Sequence, residues 1–390
     1  MLLLASFAML TAMAIDMFLP GIPAISRDLN APPGAAVATV SVFFAGLSIG
    51  QLFFGPWSDR VGRRTPLMAG LITFIVGAVM AAMAMSIEVI LFGRLLQALG
   101  ASSVSVTARA VVRDLFDERN SARFFSTLAL VSGMAPVLAP LLGAGLLALG
   151  SWRFIFVGLT IFASCALAGL LIKFEESRPP ETERKARAAS PLRNYANLLS
   201  QKRMIGYLLT GGCNSACFFT YLASAPLVFM NVYGMSPTVF SFAVAVNAIG
   251  LIGASQVNRM LLVRWTPRQI LAATSVSSLI VAAGFVIFSL TQIGGLWLLF
   301  PLFFAIVSTN SIVQANSLAG ALSVDPDHAG AAAALFGAVA FGSGMSFSFI
   351  AGLLFDGTAR GVAVVIAVGL VGATLSIRLL ALRAMAPATP

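Results

Sequence analysis

Long apolar runs separated by short polar turns recur from one end of the chain to the other. They occupy residues 2–21, 37–57, 66–86, 88–110, 124–149 and 153–173. After a polar gap they resume at 204–230, 237–258, 268–290, 295–318, 330–354 and 360–382. A helix crosses a membrane when roughly 20 mostly apolar residues cover about 30 Å of hydrocarbon with every backbone group bonded internally. Each run meets that length. The pattern predicts an all-α polytopic membrane protein of twelve transmembrane helices in two six-helix bundles, 1–173 and 204–390, joined by a linker over 174–203. The linker region, KFEESRPPETERKARAASPLRNYANLLSQKR, carries a proline pair and charges of both signs, as expected of a solvated connection. The halves echo each other: SDRVGRRTP follows the second run and NRMLLVRWTPR the eighth. Parallel halves of this kind place a substrate site near the bilayer midplane between them. The first run has no positive lead and ends without an A-x-A site, so it is expected to be a span and not a cleaved signal.

Composition agrees. The chain is 59% hydrophobic and 10% charged, against about 45–50% and about 25% in soluble domains. A net charge of +10 would suggest nucleic acid in a soluble protein, but here its position decides. The basic residues gather in alternate loops: Arg60, Arg63 and Arg64; Arg113, Arg119 and Arg123; the segment from Lys173 to Arg203 that includes Lys185 and Arg187; Arg259, Arg264 and Arg268; and Arg378 and Arg383. The opposite loops hold only Arg27, Arg153 and Arg360. The positive-inside rule then puts both termini in the cytoplasm, and no nucleic-acid partner is expected. Cys165, Cys213 and Cys217 fall within spans and suggest neither a disulfide nor a metal framework. The single histidine, His328, lies in the turn VDPDHAG. With no Walker phosphate loop and no His or Cys cluster, neither an ATP-driven pump within this chain nor a membrane enzyme has support, and no cofactor is expected.

Ionisable groups inside spans are costly and mark function. Of the fourteen acids, only Asp16 lies well inside an apolar run; among the bases, Arg94 is comparably deep and Arg109 sits near a span end. Burial disfavours a carboxylate and a nearby cation favours it, so Asp16 set against Arg94 is the candidate proton carrier. The alternatives are a fixed Asp16–Arg94 ion pair, or a carboxylate that caps backbone at the kink before Pro20 and Pro23. Gln51, Gln97, Asn214, Tyr221, Asn247, Asn310 and Gln314 are candidates to line a cavity, and each is equally suited to joining helices. Phe218 and Phe219 suit either lipid or an apolar pocket. Pro136 and Pro140, flanked by Gly and Ala, predict a bent, closely packed helix able to pivot.

GPWSDRVGRRTPL resembles the signature loop of the major facilitator superfamily, G-x-L-A-D-R-x-G-R-K-x-x-L. Gly55, Asp59, Arg60, Gly62, Arg63 and Leu67 match, Arg64 is a like-charge replacement, and Trp57 and Ser58 depart. IDMFLPGIP, GRLLQALGASS and ARAVVRDLF together resemble the Bcr/CflA branch of drug/proton antiporters, which includes bicyclomycin and phenicol exporters. The antiporter motif of the fifth span is degenerate: Pro140 and Gly143 match, whereas Ala139 and Ala144 stand for glycines.

The resemblance implies the major facilitator fold, a bacterial inner-membrane location and alternating access. It also implies that Asp16 is the proton-coupling acid with Arg94 as its partner, and that the 55–64 turn, Arg113, Asp114, Pro136, Pro140 and Gly143 form the conformational switch. Small amphipathic substrates would be exported against protons, with Gln97, Asn214, Phe218, Tyr221, Asn247, Asn310 and Gln314 as candidate contacts. One embedded carboxylate suggests one proton per cycle. Two covalently joined bundles need no partner, so a monomer is expected. The nearest rival is a proton-coupled or facilitated metabolite transporter of the same fold.

Overall fold

The computed structural model describes residues 2–115, 134–180, 182–184 and 190–381, and these hold helices and turns with no strand. The helices are α1 Leu2–Asp16, α2 Ile22–Asp28, α3 Pro33–Val61, α4 Arg64–Ala82 and α5 Ile87–Leu115. They continue with α6 Met134–Leu147, α7 Arg153–Lys173, α8 Pro191–Leu199, α9 Lys202–Pro226 and α10 Pro237–Leu261. The chain closes with α11 Pro267–Thr291, α12 Gly295–Leu322, α13 Ala329–Leu353 and α14 Arg360–Leu375. Eleven helical stretches are long and apolar enough to cross a membrane, α1 and α2 counting as one, and α6 is the described part of the run expected over 124–149. The rest of that run lies outside the described residues, as do Arg119, Arg123, Lys185, Arg187, Arg383 and the side chain of Arg113.

Two compact units result, Met1–Pro191 with Ser236–Ala245, and Leu192–Met235 with Val246–Pro390. The break falls inside the hydrophilic stretch.

Local chemistry sets the helix ends. Pro20 has no N–H to offer the carbonyl of Asp16 and its ring clashes there, so α1 stops at Asp16. The chain crosses Met17 and Phe18, makes a 3₁₀ turn at Leu19–Gly21 and resumes as α2. The apolar run 2–21 therefore contains a break that its hydropathy conceals. Pro33, Pro237 and Pro267 each open a helix, where a missing N–H costs nothing. Thr266 and Gln269 add a capping box to α11. Pro226 ends α9, which passes into a π-helical turn at Leu227–Val232. Helices α3, α5, α10 and α12 overrun their apolar runs by about a turn, because polar residues at span ends are helical too. Within the first unit α4 packs on α5 at backbone distance: a Cβ on Gly77 would sit 2.5 Å from the carbonyl oxygen of Gly93. Small residues spaced along facing helices permit this approach.

Candidate functional site

Asp16 ends α1 at the proline-induced break, 6% exposed. Its side chain makes no hydrogen bond or ion pair with any described residue. Among the described residues it neither caps backbone nor joins Arg94.

Arg94 is fully buried on α5. Its Nη1 donates to the carbonyl of Ala14, two residues before Asp16, at 2.9 Å, and to Gln97 Oε1 at 3.1 Å. The guanidinium is sandwiched between aromatic faces, its Cζ 4.4 Å from the Phe18 ring centre and 4.1 Å from that of Phe43. Such stacking is worth about 2 kcal/mol or more when the cation is desolvated. Arg94 Nε, Arg94 Nη2 and Gln97 Nε2 find no partner among the described residues. The guanidinium thus grips the end of α1 through backbone and rings, and two of its nitrogens, Nε and Nη2, have no partner among the described residues.

α6 closes on this region. A Cβ on Gly143 would overlap the carbonyl of Met17 and come within 3.0 Å of Pro20 Cγ, so only glycine fits where α6 meets the break after α1. Pro136 and Pro140 lie on the same helix. Farther along α5, Arg109 Nη2 donates to Gln51 Oε1 of α3 at 3.2 Å.

At the α3–α4 turn one arginine of three is buried. Arg63 is 2% exposed, whereas Arg60 and Arg64 are exposed. Arg63 Nη1 donates to Asp59 Oδ1 at 2.6 Å and to Ser58 Oγ at 2.9 Å, while Nε donates to Asp114 Oδ2 at 2.7 Å. The ends of α3, α4 and α5 are thereby tied to a single guanidinium. Gly55 does not belong to this geometry: it lies inside α3, and a Cβ there would meet nothing nearer than Val106 at 3.8 Å. Gly62 does, with φ +100° and a carboxylate against its backbone.

That carboxylate is Glu176, just beyond α7, which the sequence reading missed. Both its oxygens accept the N–H of Arg63, at 2.8 and 2.9 Å, and Oε2 accepts that of Arg64 at 3.1 Å. Partial burial opposes its charge, yet N–H donation from Arg63, Arg178 and Arg64 holds the carboxyl below its ordinary range. Arg178 donates to the carbonyl of Asp59 at 3.1 Å and of Arg60 at 2.5 Å. A negative group therefore caps the start of α4 and a positive one the end of α3, each matching the local helix dipole. The FEESR stretch had been read only as the start of a linker.

In the second unit the candidate polar residues pair with one another. Asn214 donates to Asn310 Oδ1 at 2.7 Å and Asn247 to the Tyr221 hydroxyl at 2.6 Å. Gln314 donates to the carbonyl of Gly211 at 2.9 Å and to the Ser215 hydroxyl. Asn316, not singled out from the sequence, donates to Asn258 Oδ1 at 2.7 Å. Asn247 Oδ1 stays buried without a partner among the described residues. Phe218 meets Phe219 edge-on, and Phe219 stacks on Phe341.

Charge buried within membrane-spanning helices marks a functional path for ions or substrates, and transporter is the class that this fold and site define. The chain belongs to the major facilitator superfamily, whose family model matches residues 4–349. It is 26% identical over 359 residues to a bicyclomycin resistance protein homolog of Haemophilus influenzae, covering 91% of this chain and 89% of that protein. It is 32% identical over 301 residues to a chloramphenicol resistance protein of Pseudomonas aeruginosa, covering 76% and 69%. An uncharacterized MFS-type transporter of Bacillus subtilis, YdgK, is 33% identical over 255 residues, which is 65% of this chain and 63% of that one. The crystal structure of a D-xylose–proton symporter has the same fold, with a TM-score of 0.75 at 16% identity over 97% of both chains. The expected all-α membrane fold and the resemblance to the superfamily and its drug-resistance members are borne out.

Proposed function

We propose that this chain exports small amphipathic drugs, bicyclomycin-like compounds or phenicols, in exchange for protons. The observation that carries the reading is Asp16: a buried carboxyl at a helix break, without a partner among the described residues, on the helix whose Ala14 carbonyl Arg94 holds. The printed names of the Haemophilus and Pseudomonas relatives support the substrate class.

In this reading Asp16 takes a proton from the outer side. Substrate entering from the cytoplasm favours the state in which that proton leaves inward. The deprotonated carboxylate then turns to Arg94, whose Nη1 already holds the Ala14 carbonyl on the same helix. Proton and substrate need not touch, because each only has to bind one of two states better than the other. Arg63, Asp59, Asp114 and Glu176 form the turn that stabilises one of those states. Gln97 Nε2 and Asn247 Oδ1 have hydrogen-bonding capacity left for a ligand, while Asn214, Asn310, Gln314 and Tyr221 serve mainly to join helices and Phe218 offers apolar contact. The protein would work as a monomer in a bacterial inner membrane with both termini in the cytoplasm, where its basic loops favour retention.

The test is proton movement in sealed proteoliposomes on adding a phenicol. Flux in the native protein and its loss in Asp16→Asn is the expected result. Equal flux in both would remove Asp16 from the coupling step, and silence in both would refute phenicols as substrates.

A further inference from the structure

Helix α8 has three distinct faces. At about 100° per residue, Leu198 points to one side, Leu192, Ala196 and Leu199 to a second, and Arg193, Asn194 and Asn197 to a third. Leu198 is fully buried, whereas Leu192 is 81% exposed and Leu199 45% exposed. A short helix with one covered side, an uncovered leucine stripe next to it and polar residues on the remainder is shaped to lie along a lipid–water boundary. Its place in the chain says which boundary. Only Ser200 and Gln201 separate α8 from Lys202, where α9 begins to span the membrane. Residues 190–203 carry Arg193, Lys202 and Arg203, all exposed, and no acid. Basic side chains at a membrane surface attract anionic headgroups.

We propose that α8 is an interfacial anchor, with Leu192 and Leu199 inserted among acyl chains and Arg193, Lys202 and Arg203 set against anionic lipid headgroups. The inference rests on the placement of α8 next to a span and is independent of what the protein transports.

The test uses the full chain with Cys165, Cys213 and Cys217 replaced by serine, spin-labelled through Leu192→Cys, Leu199→Cys or Asn197→Cys. Each is reconstituted in vesicles of phosphatidylethanolamine and phosphatidylglycerol. Labels at 192 and 199 should be relaxed more by oxygen than by a water-soluble nickel chelate, and the label at 197 the reverse. Replacing phosphatidylglycerol by phosphatidylcholine should move the first two toward nickel access. Equal nickel access at all three positions would put α8 in water, and shielding of 192 and 199 from both reagents would show protein covering them; either overturns the anchor. An oxygen preference unchanged by removing phosphatidylglycerol would overturn the anionic contact.

Discussion

In the first unit, charged side chains join helices. Arg63 bridges Asp59 and Asp114 across the ends of α3, α4 and α5, and Arg94 grips α1. In the second, amides take the corresponding positions. Asn258 and Asn316, near the ends of α10 and α12, pair where the first unit has its arginine and carboxylates, and Asn214 pairs with Asn310. The acids of the second half, Asp325, Asp327 and Asp356, all fall in turns between helices. A charged link changes strength with protonation and a neutral one does not. In the proposed exchange, the proton-dependent step therefore belongs to the first unit and the second serves as a scaffold of constant strength.

The largest effect that would break this division is on coupling. Asp16→Asn should bring drug-driven proton flux down to that of protein-free vesicles. Asn214→Ala should keep flux within about tenfold of the native rate, since one neutral hydrogen bond is worth about 1 kcal/mol. Loss of flux in the asparagine variant as complete as in Asp16→Asn would show that the second unit shares the coupling step.

Next in size is the turn. Arg63→Met leaves Asp114, whose side chain is 9% exposed, without its cation, and removing one member of a buried pair costs about 3 kcal/mol. Thermal unfolding in detergent should show that loss, whereas Asn316→Ala should cost about 1 kcal/mol. Equal midpoints for the two variants would erase the contrast between the units.

Much of this was legible in the sequence, and the gaps have physical causes. Apolar runs revealed the spans, because hydrocarbon leaves the backbone few alternatives. Asp16 and the 55–64 turn stood out because a buried charge and a glycine turn are rare in such a chain. Glu176 did not, because its partner Arg63 lies 113 residues away and nothing local marks a loop acid as a helix cap. Phe18 and Phe43 were two among thirty phenylalanines, and only tertiary contact shows which of them hold a cation. The amides were read as ligand contacts or helix joints with no means of choosing, since helical spacing does not say what faces a side chain. Gly55 matched a motif whose reason is not in its surroundings.

Glu176 sharpens the comparison through pH. Its carboxyl is held below the ordinary value of 4.5, so the cap contributes fully at neutral pH and is lost as pH falls through the folded value. Glu176→Gln should lower stability at pH 7 by about 1 kcal/mol, the usual worth of a helix N-cap. It should also flatten the acid limb of the stability profile. An unchanged acid limb would mean that the cap does not form in the membrane-bound protein.

The smallest effect tests the neutrality of the second unit. A double-mutant cycle on Asn214→Leu and Asn310→Leu should give a coupling of about 0.6 kcal/mol, typical of hydrogen bonds between membrane helices. It should be the same at pH 5 and pH 8, because neither amide titrates. The corresponding cycle on Arg63→Met and Asp114→Leu should be several times larger, because it removes a buried ion pair. If the amide coupling also changed with pH, an ionisable group would have to act on the second unit, and the proton-dependent step could no longer be confined to the first.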